Sequence, residues 1–243
     1  MPAFVLMGSG EFMPWAKETD RWALDASAVD SDRVLISPLA AAPEGDEVFS
    51  QWARMGIEYF EDLGMKPEVL DMRTQADAGD PTIARAIEGA RYVFFSGGNP
   101  GFLARALRHT AVWKAVVAAV STGTPLGGCS AGLVALGVVA PDIAAMNEKR
   151  DPFNEGLKLF ASGYLQAHWD ALDGYMPGLT QRILDAWPPG SVLFAVDEET
   201  AAVGDGTDWL VTGSGGLTIP GLDGLEHVPA GGRVSVDLGL TLS

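Results

Sequence analysis

Cysteine is almost missing from this chain. Cys129 is the only one, so no internal disulfide can form. That fits a reducing compartment, and the expected location is cytoplasmic. Histidine is scarce as well: His109, His168 and His227 are the whole supply. They are widely spaced, so no zinc-ligand pattern arises, and neither a metal nor an organic cofactor is expected. Basic residues are outnumbered two to one, with 16 Lys+Arg against 32 Asp+Glu and a net charge of -16. Such a surface repels phosphate backbones and anionic membranes, so no nucleic-acid and no membrane partner is expected. Long apolar runs are lacking too. The longest, Ala131 to Ala140, is too short to span a bilayer. The opening MPAFVLMGSGEF has no basic region ahead of its apolar stretch, so it reads as a first strand and not as a signal peptide.

What is present is ordinary globular material, 47% hydrophobic and 20% charged, enough for a buried core. Short apolar runs alternate with helical patterns. Strands are expected at 3–8, 33–39, 67–72, 91–97 and 124–129. Helices are expected near 15–28, 46–63, 81–90, 101–108, 111–121 and onward from Ser130. The repeated strand–helix order predicts a three-layer α/β/α fold around a mostly parallel sheet. Residues 141–160 read as a long loop with a short helix, 175–187 as a helix, and 191–196 as a strand. The glycine-punctuated stretch 200–241 reads as antiparallel hairpins extending one edge of the same sheet, which makes 1–243 a single domain.

Ligands bind such sheets beyond the carboxyl ends of the strands. Three glycine-rich pieces lie there: GSGE at 8–11, SGGNP at 96–100 and GGCSAG at 127–132. Gly128-Cys129-Ser130-Ala131-Gly132 has the G-x-S-x-G spacing of a nucleophile elbow, a strained strand-to-helix turn that tolerates only small neighbours. Gly127 and Ala131 flank Cys129 in the same way, so the spacing admits both nucleophiles. The double-glycine flank and a helix starting behind Ser130 favour the serine, with the Ala131 N–H as one oxyanion donor. Gly98 N–H is the second donor expected, and Gly97, Asn99 and Gln166 are expected on the substrate side. A serine needs a base, and His168, in GYLQAHWD, is placed better for this than His109 or His227. The orienting acid stays open between Glu198, after the strand SVLFAV, and Asp142, Glu148 or Asp170; Asp197 is expected to face away.

Taken together, FFSGGN at 94–99, GGCSAG at 127–132, QAHW at 166–169 and VDEETA at 196–201 resemble the serine peptidase family of dipeptidase E and cyanophycinase. That family has a class I glutamine amidotransferase-like, flavodoxin-like fold. The resemblance implies Ser130 as nucleophile, His168 as base, and Gly98 and Ala131 as the oxyanion hole. Similarity to cyanophycinase implies Glu198 as the acid; similarity to dipeptidase E implies Asp142 or Glu148. Cys129 is one residue out of register for a glutamine amidotransferase, which leaves a cysteine-dependent or non-catalytic protein as the alternative. The departures are Pro100 after GGN, Gln166 two residues before the histidine, and only Arg182 in a region where cyanophycinases carry several arginines. A small peptide or amide is the expected substrate, and an acidic one is not. A homodimer is an open expectation.

Overall fold

The computed structural model describes residues 1–142, 145 and 152–242. The chain opens with β1 (Phe4–Met7), α1 (Lys17–Ala26), β2 (Arg33–Ser37), α2 (Asp46–Asp62) and β3 (Lys66–Val69). Next come α3 (Gln75–Ala78), α4 (Pro81–Arg85), β4 (Tyr92–Phe95), α5 (Pro100–Leu107), α6 (Ala111–Ser121) and β5 (Leu126–Cys129). Strands β1, β5, β4, β2 and β3 lie side by side in that order, all parallel. The inner four are short and buried because both faces are covered, whereas β3, at the edge, carries Lys66 and Glu68 and is only partly buried. Alternation along each strand divides the core. Val5, Met7, Val34, Ile36, Tyr92 and Phe94 pack with Leu24 of α1 and Phe60 of α2. Phe4, Leu6, Leu35, Val93 and Phe95 face the other way, with Leu103 of α5 and Val116 of α6.

The apolar run behind Ser130 is not a long helix. It makes one turn, α7 (Ala131–Val134), and then enters β6 (Val139–Pro141). Gly137 sits where a Cβ would lie 2.6 Å from the Gly163 carbonyl, so the chain bends there against its neighbour. The ends of the segment expected as a loop pair instead: β6 lies antiparallel to β7 (Phe153–Glu155). The helix expected at 175–187 forms as two pieces, Leu172–Tyr175 and Leu179–Asp185. Pro177, which cannot donate, and Gly178, at φ +78, separate them.

The second half also corrects the single-sheet expectation. Strands β10 (Thr200–Gly204), β11 (Asp208–Gly213) and β14 (Arg233–Ser235) do extend the edge of the main sheet, antiparallel, beyond β1. Strands β8 (Gly163–Gln166), β9 (Val192–Val196), β12 (Gly216–Gly221) and β13 (Gly224–Pro229) form a separate four-stranded sheet. Phe194, Leu217 and Val228 of that sheet join the same core as Phe4 and Leu6. The second sheet thus sits beside the main one and delivers the ends of β8 and β9 to the carboxyl ends of the parallel strands. Among the described residues no helix is long and apolar enough to cross a membrane.

Candidate active site

Strand β5 ends in a turn that holds Ser130 at φ 50 and ψ -109, a conformation non-glycine residues rarely adopt. The turn is tied down at both ends: Ser130 N–H donates to Met7 O at 3.0 Å, and Val134 N–H donates to Ser130 O at 3.0 Å. Its flanks have no room for side chains. A Cβ on Gly128 would lie 2.5 Å from Gly132 O, and one on Gly132 would lie 2.2 Å from Phe95 O. Helix α7 is a single turn, too short for the dipole on which the choice of serine partly rested. At the start of α7 the individual Ala131 N–H is the group left to meet an oxyanion.

Beyond β8 the chain turns at His168, also at positive φ (54), and Trp169 N–H donates to Val196 O at 3.1 Å. This brings the imidazole over the elbow, with Ser130 Oγ and His168 Nε2 2.8 Å apart. The other ring nitrogen, Nδ1, is 3.1 Å from Glu198 Oε1. Glu198 follows β9, and its N–H donates to Asp170 Oδ1 at 2.8 Å. Tyr175 donates its hydroxyl to the same Glu198 oxygen at 2.6 Å, and its ring stands edge-on to His168. The Tyr175 hydrogen bond, and after it that of His168, holds the Glu198 carboxyl below the usual carboxylate range.

The other acids lie elsewhere. Asp142 accepts from Asn99 Nδ2 at 3.0 Å and from Arg105 Nη1 at 2.8 Å. Glu148 lies outside the described residues. Asp197 points away: its Oδ2 accepts from Gly216 N–H at 2.8 Å and lies 3.9 Å from His227 Nε2. His227 is exposed on β13, and His109 is exposed at the α5–α6 junction.

Gly98 lies at φ +136, where a Cβ would stand 2.4 Å from the Ala40 carbonyl, so only glycine fits. Among the described residues, neither the Gly98 nor the Ala131 N–H has a protein acceptor. Both residues line the cavity that contains Ser130 and His168. Gly97 and Asn99 do not line it. The Gly97 N–H is taken by Glu11 Oε1 at 2.8 Å, and the Asn99 side chain caps α5 while holding Asp142. Gln166 and Pro100 do line it.

Cys129 is fully buried beneath the turn. Its thiol donates to Glu11 Oε2 at 2.8 Å. Burial first, and the adjacent Glu11 carboxylate second, push the thiol well above its ordinary value. Glu11 therefore bridges the residue before Gly98 and the residue before Ser130. Its place in GSGE, at the end of β1, marks it as near the site, but nothing in the sequence gives it that role. Tyr175 carries no sequence signal, because its approach depends on the break at Pro177-Gly178. Among the described residues no three His, Cys, Asp or Glu side chains are grouped to hold a metal ion. A second hollow, of about 700 Å³, is lined by Met1, Trp22 and Arg233 at the opposite end of β1, and none of these groups reaches it.

Residues 4–206 match the model of peptidase family S51. Among solved structures, a peptidase from an acI-B1 Actinobacterium is similar over 97% of each chain, with a TM-score of 0.87 and 26% identity. A putative peptidase E protein from Listeria monocytogenes EGD-e is similar over 88% of this chain and 98% of its own, with a TM-score of 0.59 and 17% identity. At that identity the second likeness bears on the fold alone. No curated protein matches the chain.

Proposed function

The chain belongs to peptidase family S51 and is a serine-type peptidase, and on that premise we propose that it cleaves a small peptide or amide through Ser130, His168 and Glu198. The observation that carries this reading is the continuous hydrogen-bonded line from Ser130 Oγ through both imidazole nitrogens to Glu198. With Nδ1–H donating to the Glu198 carboxylate, Nε2 is left as the acceptor facing the serine. Ser130 Oγ attacks the carbonyl carbon as its proton passes to Nε2. The imidazolium that forms is stabilised by Glu198, which Tyr175 helps to keep ionised. The new oxyanion sits between the unused N–H groups of Gly98 and Ala131. When the intermediate collapses, the C–N bond breaks and Nε2 returns its proton to the leaving amine. Water then attacks the acyl ester with His168 again as base. This releases the acid and restores Ser130.

The Cys129 alternative lacks support. A buried thiol whose ionisation is suppressed is a poor nucleophile, and it faces Glu11 instead of the cavity. Labelling with a fluorophosphonate probe, read by mass spectrometry, tests the assignment. The adduct is expected on Ser130 and is expected to vanish in Ser130→Ala. An adduct that survives that substitution overturns it.

A further inference from the structure

The cavity that opens from Ser130 and His168 has a volume of about 480 Å³, room for a side chain and the peptide groups on either side. Its walls are Val139, Tyr164, Leu172, Leu179 and Ile183, with Met176 beside them. Among the described lining residues other than His168, Arg182 alone carries a charge, and its side chain is exposed at the mouth. Gln166, a neutral polar residue only 5% exposed, also lines the cavity. Alternation along β8 puts Gln166 on the same face as Tyr164, while Leu165 between them enters the main core. Among the described residues, no hydrogen-bond partner meets the Gln166 side-chain amide. Its amide atoms are not fully enclosed and keep access to the cavity that Gln166 lines, where an entering group can pair with them.

We propose that this cavity selects an uncharged, mainly apolar side chain beside the scissile bond, and that Gln166 is the specificity-determining residue that holds the ligand through its amide. The proposal takes the position of the scissile bond from the serine-peptidase reading, but binding in the cavity does not depend on catalysis. A neutral amide can donate to a carbonyl and accept from an N–H, which suits a peptide group. An acidic side chain would leave water for apolar walls with no buried cation among the described residues to meet it, and would approach a protein of net charge -16.

The test has a binding arm and a turnover arm. Calorimetry on Ser130→Ala would measure Leu-, Phe-, Asp- and Lys-containing dipeptides of matched length. The apolar ones are expected to bind at least about tenfold more tightly. Equal or tighter binding of the acidic ones, or no binding by any, overturns the proposal. Steady-state kinetics on the otherwise native protein would use the same peptides with Gln166→Leu and Gln166→Glu. Gln166→Leu is expected to raise KM about tenfold with little change in kcat, the signature of a lost binding contact. Gln166→Glu keeps the shape and is expected to widen the preference against acidic peptides. Unchanged KM in both variants overturns the role of Gln166. The two readings fail separately. Apolar-selective binding without turnover or labelling at Ser130 sinks the peptidase mechanism alone. Labelling at Ser130 with a preference for acidic peptides sinks the selectivity alone.

Discussion

At the scale of the residue, the adjacent Cys129 and Ser130 divide cleanly. One faces down into the core against Glu11, and the other faces His168. Iodoacetamide is therefore expected to leave turnover unchanged. Cys129→Ser, which still offers Glu11 a donor, is expected to keep most of the activity; thiol-dependent loss in a kinetic assay would contradict both. Glu198 acts on the histidine. Glu198→Gln cannot balance an imidazolium, so kcat is expected to fall by about 10²–10⁴. Tyr175→Phe makes a finer test. The hydroxyl lowers the Glu198 carboxyl, so its removal raises that carboxyl. The part of the activity loss at low pH that comes from protonating Glu198 is expected to set in at higher pH, while the neutral plateau stays close to the original. A merely structural Tyr175 would lower the plateau and leave that onset in place. Ser130 and His168 stood out in the sequence because each follows a strand and carries recognisable chemistry, whereas Glu198 was one of several candidate acids and is singled out only by its place 3.1 Å from His168 Nδ1. Glu11 and Tyr175 did not stand out, because their importance lies in what they touch, and those partners are 86 and 118 residues away for Glu11 and 23 for Tyr175.

At the scale of the element, the elbow works because two backbones pass where side chains would collide. Gly132→Ala is expected to be poorly tolerated, since its Cβ would press on Phe95 O of β4, a backbone atom that cannot rotate away. Overpacking of this kind costs about 1–3 kcal/mol. Thermal unfolding is expected to show a lowered Tm, and kcat is expected to fall with it because the same strain displaces Ser130. An unchanged Tm would mean that β4 and α7 can part without cost. The parallel half of the fold was readable because its inner strands are short apolar runs separated by helices, and neighbours in the sheet follow a simple crossover order; the polar edge strand β3 forms at Lys66–Val69, shorter than the 67–72 expected. The second sheet was not readable in this way. β12 and β10 have the same short, glycine-bounded pattern, yet β10 pairs with β1 and β12 with β9. Which edge a hairpin joins is settled by long-range packing, here of Leu217 and Val228 with Phe194, and local alternation is blind to it. The length of α7 failed for a related reason: Leu133 to Val139 is apolar at any spacing, so a helix and a bend into a strand look alike.

At the scale of the whole molecule, the excess of acid reaches the interior. Asp20 on α1 is 1% exposed and accepts from Tyr59 Oη at 2.7 Å and Tyr92 Oη at 2.9 Å. Burial raises its pKa to about 7 against the two tyrosine hydrogen bonds, with Glu11 adding a smaller push in the same direction. The sign follows from proton binding. The folded state holds the Asp20 proton more tightly than the unfolded chain, so the contribution to stability is fully present below the unfolded pKa, near 3.9. It is lost progressively as pH rises toward about 7 and is gone above that value. Asp20→Asn removes the titration while keeping a polar group between the two phenols. Its stability relative to the native protein is therefore expected to improve as pH rises. The improvement should amount to about 2–3 kcal/mol between about pH 5 and pH 8. Self-repulsion of a surface with net charge -16 also grows with pH, but nearly the same surface is present in both proteins and cancels in the difference. Urea midpoints for the pair at each pH would measure it. A gap that stays constant across that range would assign the pH dependence to the surface charge and remove Asp20 from it.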